Sequence, residues 1–295
     1  MDKYYDNIKN YLVSNEALKL VKDYSKNRSD LITYYNVGKE LVLAGKHYGE
    51  GIIKKYSEKL TKEINKKYNI SSLKRMRQFF TIIEKGATLS HQLSFSHYSE
   101  LIPLNDIDKI NYYVIETQNS NLSIRQLRKK IKNKEYERLP IETRNKLINN
   151  KSNNIKDYVK NPILIKNTTN NEKISEKVLQ KLILEDIPSF LKELGNGFTF
   201  IENEYKIKLG LYYHYIDLLL YNIKSKSYVV VELKVTELKS KHIGQIQEYM
   251  NYIDKNVKTI EENKTIGIII CKRDNKFVIE YCSDEKIISR EYELV

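Results

Sequence analysis

Three apolar runs of β type follow one another in the second half of the chain, and they constrain the fold more than any other feature. They cover Phe198–Leu209, Tyr212–Tyr221 and Tyr228–Val235. Hairpin-type breaks separate them, at Gly210 and at residues 224–227. Strands joined by such short turns predict a sheet at the centre of this half.

Helical patterns lie on both sides of these strands. One helix is expected over Ser175–Leu194, ending at Gly195, and a second over Ser240–Ile253. Further strands are expected over Thr265–Cys271 and Phe277–Tyr281. The order α-β-β-β-α-β-β predicts an α/β sheet with a crossover helix and mixed strand directions.

The first half of the chain has helical periodicity instead. Helices are expected over Tyr4–Tyr24, Asp30–Leu43 and Gly51–Lys67, and two more after serine caps, at Ser71 or Ser72 and at Ser123. Both capped helices have an apolar face and a basic outer face, which is compatible with a helix-turn-helix unit that binds DNA. The basic residues concerned are Lys74, Arg75, Arg77, Arg125, Arg128 and Lys129. The alternative is that these side chains are merely solvated.

An asparagine-rich segment separates the two patterns. Its short apolar patch, Pro162–Ile165, is expected to pack on the domain that follows. The predicted organisation is a basic helical domain over residues 1–147, a partly packed linker over 148–174 and an α/β domain over 175–295. The predicted fold class is therefore α+β overall, with the all-α domain first.

Charge is distributed unevenly between the two halves. Residues 1–150 contain 28 Lys and Arg against 17 Asp and Glu, which accounts for 11 of the net charge of +13. A basic excess confined to one region favours a nucleic acid or another anionic partner there. An AT-rich genome also raises the lysine content, but it would do so throughout the chain.

The composition of the chain argues against several other classes of protein. No apolar run approaches the ~20 residues that cross a bilayer, and the N-terminus lacks the apolar core of a signal peptide. Cys271 and Cys282 are too few for a disulfide framework or a cysteine-based zinc site, and Cys271 is expected in the core. The chain has no glycine-rich phosphate loop, so no nucleotide cofactor is expected. These features favour a soluble, cytoplasmic protein without a membrane partner.

Asp217, Glu232 and Lys234 are the strongest candidates for catalysis. Asp217 lies in one apolar strand, and the other two end the next strand, where alternation puts them on one face about 7 Å apart. Charges in such strands are costly unless they are paired or bind a metal. The two carboxylates and the carbonyl of Leu233 would form a hard oxygen site for Mg²⁺, with Mn²⁺ expected to substitute. Lys234 would then assist the attacking water. A salt bridge at a strand end is the alternative.

The next helix supports the catalytic interpretation. It presents Gln245 at its start and Tyr249 one turn later on the same face, and His242 is expected at the surface. A strand with Glu-x-Lys followed by a helix with Gln-x-x-x-Tyr resembles the PD-(D/E)xK nuclease superfamily. The chain as a whole resembles the YhcG family of nucleases. The blocks that carry this resemblance include Leu73–Phe80, Leu93–Tyr98, Ser123–Leu127, Tyr136–Leu139, Phe190–Phe198, Tyr215–Leu219, Glu232–Lys234 and Ile266–Ile269.

The resemblance implies a basic helical module fused to a domain with the restriction-endonuclease-like fold. It implies that Asp217 and Glu232 hold the metal and that Gln245 positions the water or the phosphate. One departure concerns the first helix of the nuclease domain, where the family's acidic residue falls near Gln180, a neutral and poorer ligand. Glu176, one turn earlier, could substitute for it.

Two functions remain open at this point. The first is a Mg²⁺-dependent endonuclease that hydrolyses phosphodiester bonds in DNA, with the basic helices supplying salt-sensitive affinity. The second is a DNA- or protein-binding module that keeps the fold and has little or no activity. RNA is a third substrate that a backbone-reading site would accept. Cutting both strands of a duplex needs two active sites or two visits, so a homodimer is compatible with the first function.

Overall fold

The computed structural model describes residues 2–20, 26–65, 67–148, 155–169, 174–282 and 284–295. It consists of two compact units, which divide between Tyr136 and Glu137. The first unit is helical, and the second contains a mixed sheet with helices. The predicted fold class is confirmed.

The first unit is built from amphipathic helices whose apolar sides face one another. They are α1 (Lys3–Leu20), α2 (Lys26–Tyr48), α3 (Ile52–Glu63), α4 (Ile70–Glu84), α5 (Phe95–Leu101), α6 (Ile107–Ser120) and α7 (Ile124–Lys132), with a 3₁₀ turn at Ile102–Leu104. The approach of α2 to α4 is especially close. A Cβ atom on Gly38 of α2 would lie 2.3 Å from the carbonyl oxygen of Met76 in α4, so only glycine fits there.

The caps of two helices test the predicted starts. Ser123 caps α7 in a reciprocal capping box with Gln126, as the sequence predicts. The prediction for α4 is wrong, because Asn69 rather than Ser71 or Ser72 is its cap. The Asn69 side chain accepts a hydrogen bond of 3.0 Å from the N–H of Ser72. Asparagine caps as well as serine, so the helix begins two or three residues earlier than expected.

The second unit alternates helices and strands. Its helices are α8 (Ile141–Ile148), α9 (Ile155–Tyr158), α10 (Glu176–Glu185), α11 (Ile187–Leu194), α12 (Ser240–Asn256) and α13 (Lys276–Cys282). Its strands are β1 (Ile163–Ile165), β2 (Phe198–Leu209), β3 (Tyr212–Asn222), β4 (Ser227–Glu237), β5 (Ile266–Arg273) and β6 (Ile287–Leu294).

The six strands form one sheet in the order β1-β6-β5-β4-β3-β2. The meander β2-β3-β4 is antiparallel, whereas β4-β5, β5-β6 and β6-β1 are parallel pairs. Helix α12 connects the parallel strands β4 and β5, as expected of a crossover. The predicted crossover helix and the mixed strand directions are confirmed.

Both faces of the central strands are buried. Leu179 of α10 and Phe190 of α11 lie in one apolar cluster with Val231 of β4. Ile246 of α12 lies in the opposite cluster with Val230 of β4. Burial on both faces explains why the central strands have continuous apolar runs rather than strict alternation.

Three local predictions are wrong. The helix expected over Ser175–Leu194 is two helices, because the chain breaks at Asp186 and its side chain caps α11 ahead of Pro188. The strand expected over Phe277–Tyr281 is helix α13. The last strand is β6, which begins at Ile287 and has no counterpart in the prediction.

The chemical reason for α13 is local. Oδ1 of Asn275 accepts hydrogen bonds from the N–H groups of Phe277 and Val278, which is a helix-capping arrangement. Both Phe277 and Tyr281 are exposed, so the aromatic residues that suggested a strand contribute little to the core.

The division between the units also differs from the predicted domain end at residue 147. Arg138 accounts for the difference, because its guanidinium pairs with Glu193 and donates a 2.8 Å hydrogen bond to the carbonyl of Pro162. These contacts tie the segment that follows Tyr136 to the sheet-containing unit.

The linker prediction is partly answered. The patch at residues 162–165 packs on the following domain as expected, as strand β1 beside β6. The asparagines at 149–154 and 170–171 lie outside the described residues. In the parts of the chain that the structure describes, no helix is long and apolar enough to cross a membrane.

Candidate active site

The site begins where two strands separate. The pairing of β3 with β4 ends at Leu218 and Val231; beyond it, β3 pairs only with β2 and β4 continues beside β5. Asp217 lies at this point, and its Oδ2 accepts a hydrogen bond of 2.7 Å from the backbone N–H of Leu233. The carboxylate thus replaces the backbone acceptor that β3 no longer offers.

The side-chain alternation of β3 is interrupted at Asp217. Ile216 and Leu219 pack in the cluster with α12, whereas Leu218 packs in the opposite cluster. Regular alternation would put Ile216 and Leu218 on the same face. Glu204, opposite Asp217 in the pairing register, has a positive φ of 50°. Strand irregularities of this kind re-aim side chains beside functional sites.

Glu232 is the most buried acidic group of the site, with 2% of its surface exposed. Its Oε1 accepts hydrogen bonds from Lys234 Nζ at 2.8 Å and from Gln245 Nε2 at 2.9 Å. Its Oε2 is buried and has no hydrogen-bond partner among the described residues. A buried carboxylate oxygen in this state is costly and calls for a further ligand.

The electrostatics of the site are unbalanced. Burial, followed by the charge of Asp217, raises the pKa of Glu232 to about 7. Burial also raises the pKa of Asp217, against the opposing effects of the Leu233 N–H and of Lys234. Burial would lower the pKa of Lys234, but the charges of Glu232 and Glu176 outweigh it and raise that pKa. One ammonium therefore faces more negative charge than it offsets.

Helix α12 brings three polar side chains to this region. Gln245 joins Glu232 to Tyr249, because its Nε2 also lies 3.0 Å from the Tyr249 hydroxyl. His242 is buried rather than at the surface, so that expectation is wrong. Its Nδ1 accepts a hydrogen bond of 3.1 Å from the N–H of Lys239 and closes the start of the helix. Burial lowers the pKa of His242, so its neutral form is favoured.

Helix α10 carries Gln180, which lies near the position where the family has an acidic residue, and Glu176, which could substitute for that residue. Gln180 is buried, and its Nε2 donates a hydrogen bond of 3.0 Å to the backbone carbonyl of Asp217. Glu176 is half-exposed, and its Oε2 lies 3.5 Å from Lys234 Nζ. Gln180 therefore anchors β3 through its main chain, while Glu176 reaches the charged cluster itself.

The donor set fits a divalent cation. No group of three His, Cys, Asp or Glu side chains within the described ranges could by itself hold a metal ion. Mg²⁺ does not require one, since it commonly binds through one or two carboxylates and keeps several waters. Asp217 and Glu232 supply two carboxylates, and Glu232 Oε2 has no hydrogen-bond donor among the residues that the structure describes.

The six basic residues predicted to bind nucleic acid differ in their surroundings. Arg77 pairs with Glu50, and Arg128 donates two hydrogen bonds to Glu100, at 3.0 and 2.6 Å. Arg75 lies near enough to Glu100 to lower the pKa of that carboxyl. The remaining three, Lys74, Arg125 and Lys129, are exposed on α4 and α7.

The second unit has the features of a nuclease-like domain of the PD-(D/E)xK class. They are the mixed sheet with a crossover helix, Asp217 and Glu232 on neighbouring strands, and Lys234 two residues after Glu232. Residues 156–295 match the family described as the YhcG PDDEXK nuclease domain, and residues 14–138 match the DUF1016 N-terminal domain. The chain is thus YhcG-like, as the blocks in its sequence indicated: its second half belongs to the YhcG PDDEXK nuclease domain family, and the helical part before it matches a separate family.

A curated relative has a similar extent. "Putative nuclease YhcG" from Escherichia coli (strain K12) is 22% identical over 311 residues, which is 88% of this chain and 81% of the relative. Two solved structures match 43% of this chain at 19% identity. They are a repair endonuclease from Pyrococcus abyssi, with a TM-score of 0.30, and an EndoMS–dsDNA2 complex, with a TM-score of 0.31. The match spans about half of each of those chains, 49% and 48%.

Proposed function

We propose that this protein is a metal-dependent endonuclease that hydrolyses phosphodiester bonds in DNA. The observation that carries the proposal is the buried Oε2 of Glu232, which has no hydrogen-bond partner in the described part of the chain. A divalent cation would satisfy this atom and offset the charge of Asp217, which Lys234 alone does not balance.

Asp217, Glu232 and the carbonyl of Leu233 would hold the cation. The N–H of Leu233 points to Asp217, and the N–H and C=O of one strand residue point to the same edge, so its carbonyl also faces this gap. Mg²⁺, or Mn²⁺ in its place, supplies Lewis-acid stabilisation of the charge that develops on the phosphate.

The protein's own groups supply position and charge. Lys234 remains an ammonium because Glu232 and Glu176 raise its pKa, so it acts as a hydrogen-bond donor to the attacking water or to the phosphate rather than as a base. Gln245 is a positioning residue, since its amide holds Oε1 of Glu232 and leaves Oε2 directed elsewhere.

The helical unit would supply affinity for the DNA backbone. Lys74, Arg125 and Lys129 are exposed, and they lie in the region that carries most of the chain's basic excess. Phosphate contacts of this kind give affinity that does not depend on sequence and that weakens as salt is added.

A binding module without activity is the second candidate. One observation favours it: the position expected to be acidic is Gln180, and its amide is already engaged with the Asp217 carbonyl. In this case the protein would hold DNA through the same surfaces and would leave it intact.

Cleavage of supercoiled plasmid separates the two candidates. Wild-type protein should nick or linearise the plasmid with Mg²⁺ or Mn²⁺ and leave it intact with EDTA. Glu232→Gln keeps the size and the hydrogen-bonding capacity of the side chain but removes the charge, so its cleavage should be lost. Binding to the plasmid in EDTA should be unchanged.

Lys234→Gln tests the lysine against a matched control. The chain contains another Glu-x-Lys, and Lys264→Gln changes its exposed lysine, which lies outside the site. The first variant should lose activity by about 10²–10³-fold, the range for removing one electrostatic donor, and the second should cleave like wild type. Binding without cleavage by the wild-type protein, under every metal condition, would transfer the assignment to the binding module.

A further inference from the structure

The strands β2 and β3 extend beyond the rest of the sheet as a two-stranded ribbon. Beyond Leu218, β3 pairs only with β2, which is the edge strand. One face of this ribbon belongs to the core, because Ile207 is buried in the cluster with Ile246 of α12. His214, opposite Ile207 in the register, lies with its ring centroid 6.2 Å from that of Tyr249.

The opposite face of the ribbon carries two lysines and two tyrosines. Lys206 is paired across the strands with Tyr215, and Lys208 with Tyr213. The tyrosines are 53% and 56% exposed, and Lys206 Nζ lies 3.9 Å from the centroid of the Tyr213 ring. We call these four residues the Lys/Tyr face.

The ribbon is positively charged, which favours a negatively charged partner. Residues 205–216 contain two lysines, a histidine and four tyrosines, and no aspartate or glutamate. At the tip, Leu211 and Tyr212 are 88% and 75% exposed. Large aromatic and apolar groups are rarely left in water in such numbers unless they bind something, and lysines beside them favour a polyanion.

Unpaired bases match this arrangement better than a duplex does. Exposed aromatic rings stack on the faces of unpaired bases, and nearby cations bind the adjoining phosphates. In a duplex those base faces are already stacked on their neighbours and are not accessible to tyrosine.

The strand that carries Tyr213 and Tyr215 continues to Asp217. Tyr215 and Tyr213 lie two and four residues before Asp217 on the same strand, which is roughly 7 and 13 Å along it. DNA that lay along the ribbon would therefore present a phosphate near Asp217 while its neighbouring bases contacted the rings.

We propose that the Lys/Tyr face binds single-stranded DNA next to the bond to be cut, so that the substrate of this nuclease has unpaired bases there. The inference rests on the proposed nuclease function for its substrate, but the binding itself needs neither metal nor catalysis. It can be measured in EDTA, where its failure and the failure of the nuclease assignment are distinct results.

The absence of tryptophan from the chain provides a direct probe. Tyr213→Trp introduces one tryptophan, whose fluorescence should be quenched by stacking when a single-stranded oligodeoxythymidine is added in EDTA. Tyr281→Trp is the matched control, because Tyr281 is also exposed but lies on α13, outside the ribbon. Its fluorescence should stay unchanged at the same oligonucleotide concentration.

Alanine variants measure the contribution of the rings. Tyr213→Ala and Tyr215→Ala should each weaken the affinity for the oligonucleotide on the order of tenfold, and Tyr281→Ala should not change it. Thermal unfolding of each variant establishes that it is folded. Lys206→Ala should reduce the dependence of the affinity on salt.

Three results would overturn the inference. Unchanged affinity in both ring variants, or quenching by a blunt duplex equal to that by the single strand, contradicts binding of unpaired bases. A dimer in sedimentation that the ring variants convert to monomers, with DNA affinity unchanged, would make the face a self-association surface. If the ring variants lose affinity but wild-type protein never cleaves, the Lys/Tyr face stands and the nuclease assignment fails.

Discussion

Oδ2 of Asp217 accepts a hydrogen bond of 2.7 Å from the backbone N–H of Leu233, across the gap where β3 leaves β4. The same carboxylate therefore completes the sheet and is placed to bind a cation. To separate the two roles, Asp217 has to be replaced by a side chain that still accepts this hydrogen bond but carries no charge to bind a cation. Asparagine does so, because its carbonyl oxygen still accepts the hydrogen bond.

We expect Asp217→Asn to lower DNA cleavage by about 10²–10³-fold, the range for losing one electrostatic contact to a transition state. Its melting temperature without metal should be no lower than that of wild type, because burial raises the pKa of Asp217 and so disfavours its charge, whereas Asp217→Ala should melt at a lower temperature than Asp217→Asn because the Leu233 N–H loses its acceptor. Cleavage assays and thermal melts in EDTA measure the two effects separately. Equal melting temperatures for the two variants would refute the structural role.

The charge of Glu232 should destabilise the metal-free protein at alkaline pH. Its pKa is raised from 4.5 to about 7 by burial and by Asp217, so the folded state binds this proton more tightly than the unfolded state does. When folding raises the pKa of an acid in this way, the stability of the protein falls as the pH increases from about 4.5 through about 7. In EDTA at about pH 8.5, Glu232→Gln should be more stable than wild type, with a free energy of unfolding up to about 3 kcal/mol higher.

At about pH 4 that difference should nearly vanish, because Glu232 of the wild-type protein is then mostly protonated in both the folded and the unfolded state. Urea denaturation at the two pH values measures it. A Gln variant that is less stable than wild type at the higher pH would mean that the ion pair with Lys234 stabilises the fold more than burial of the charge destabilises it.

A divalent cation should reverse this penalty. Mg²⁺ or Mn²⁺ that binds only the folded state raises the free energy of unfolding with concentration, by about 2.7 kcal/mol at a hundredfold excess over the dissociation constant. Wild-type protein should therefore melt at a higher temperature as metal is added, and Glu232→Gln should respond much less. A response that is equal in both proteins would place the binding elsewhere.

The central strands, and the closeness of the three candidate catalytic residues, could be predicted because burial and charge are both evident in this part of the sequence. Charges at Asp217, Glu232 and Lys234 interrupt runs that are otherwise apolar. Strand β6 left no such mark. Arg290 lies within it and donates hydrogen bonds to the carbonyls of Val159 and Lys156, partners that are far away in sequence.

Other features could not be predicted because they depend on tertiary contacts. Among the described residues, Oε2 of Glu232 has no partner, whereas Lys234 and Gln245 both bind Oε1, and the sequence does not show which oxygen they bind. The break at Asp186 is different, because Pro188 two residues later was a signal for it in the sequence.

Glu193 should stabilise the sheet-containing unit at neutral pH and not in acid. Burial alone would raise its pKa, but Lys160, Arg138 and the Leu164 N–H lower it below the usual value. An acid whose pKa is lower in the folded state stabilises the protein at a pH above its unfolded-state pKa. This contribution is lost as the pH falls through its folded-state pKa. Glu193→Gln should cost about 3–5 kcal/mol near pH 7, because it removes the carboxylate from two buried cations.

The effect of that change should shrink in acid, below the lowered pKa of Glu193, where the wild-type carboxyl also becomes protonated. Urea denaturation at both pH values measures it, with the exposed Glu248→Gln as the control, for which little change is expected at either pH. A constant difference across the pH range would show that the loss comes from packing rather than from charge.

Basic residues on α7 should differ in their contribution to DNA binding, although they lie side by side. Lys129 is exposed, whereas Arg128 is held by two hydrogen bonds to Glu100. A phosphate contact releases counterions, so losing one reduces the slope of log K against log salt by about 1. Lys129→Ala should reduce the slope by this amount, and Arg128→Ala should reduce it less. Glu100→Gln should increase both affinity and slope, because it frees Arg128 for a phosphate. Binding to labelled DNA in EDTA over a series of KCl concentrations measures all three, and equal slopes throughout would exclude α7 from the DNA-binding surface.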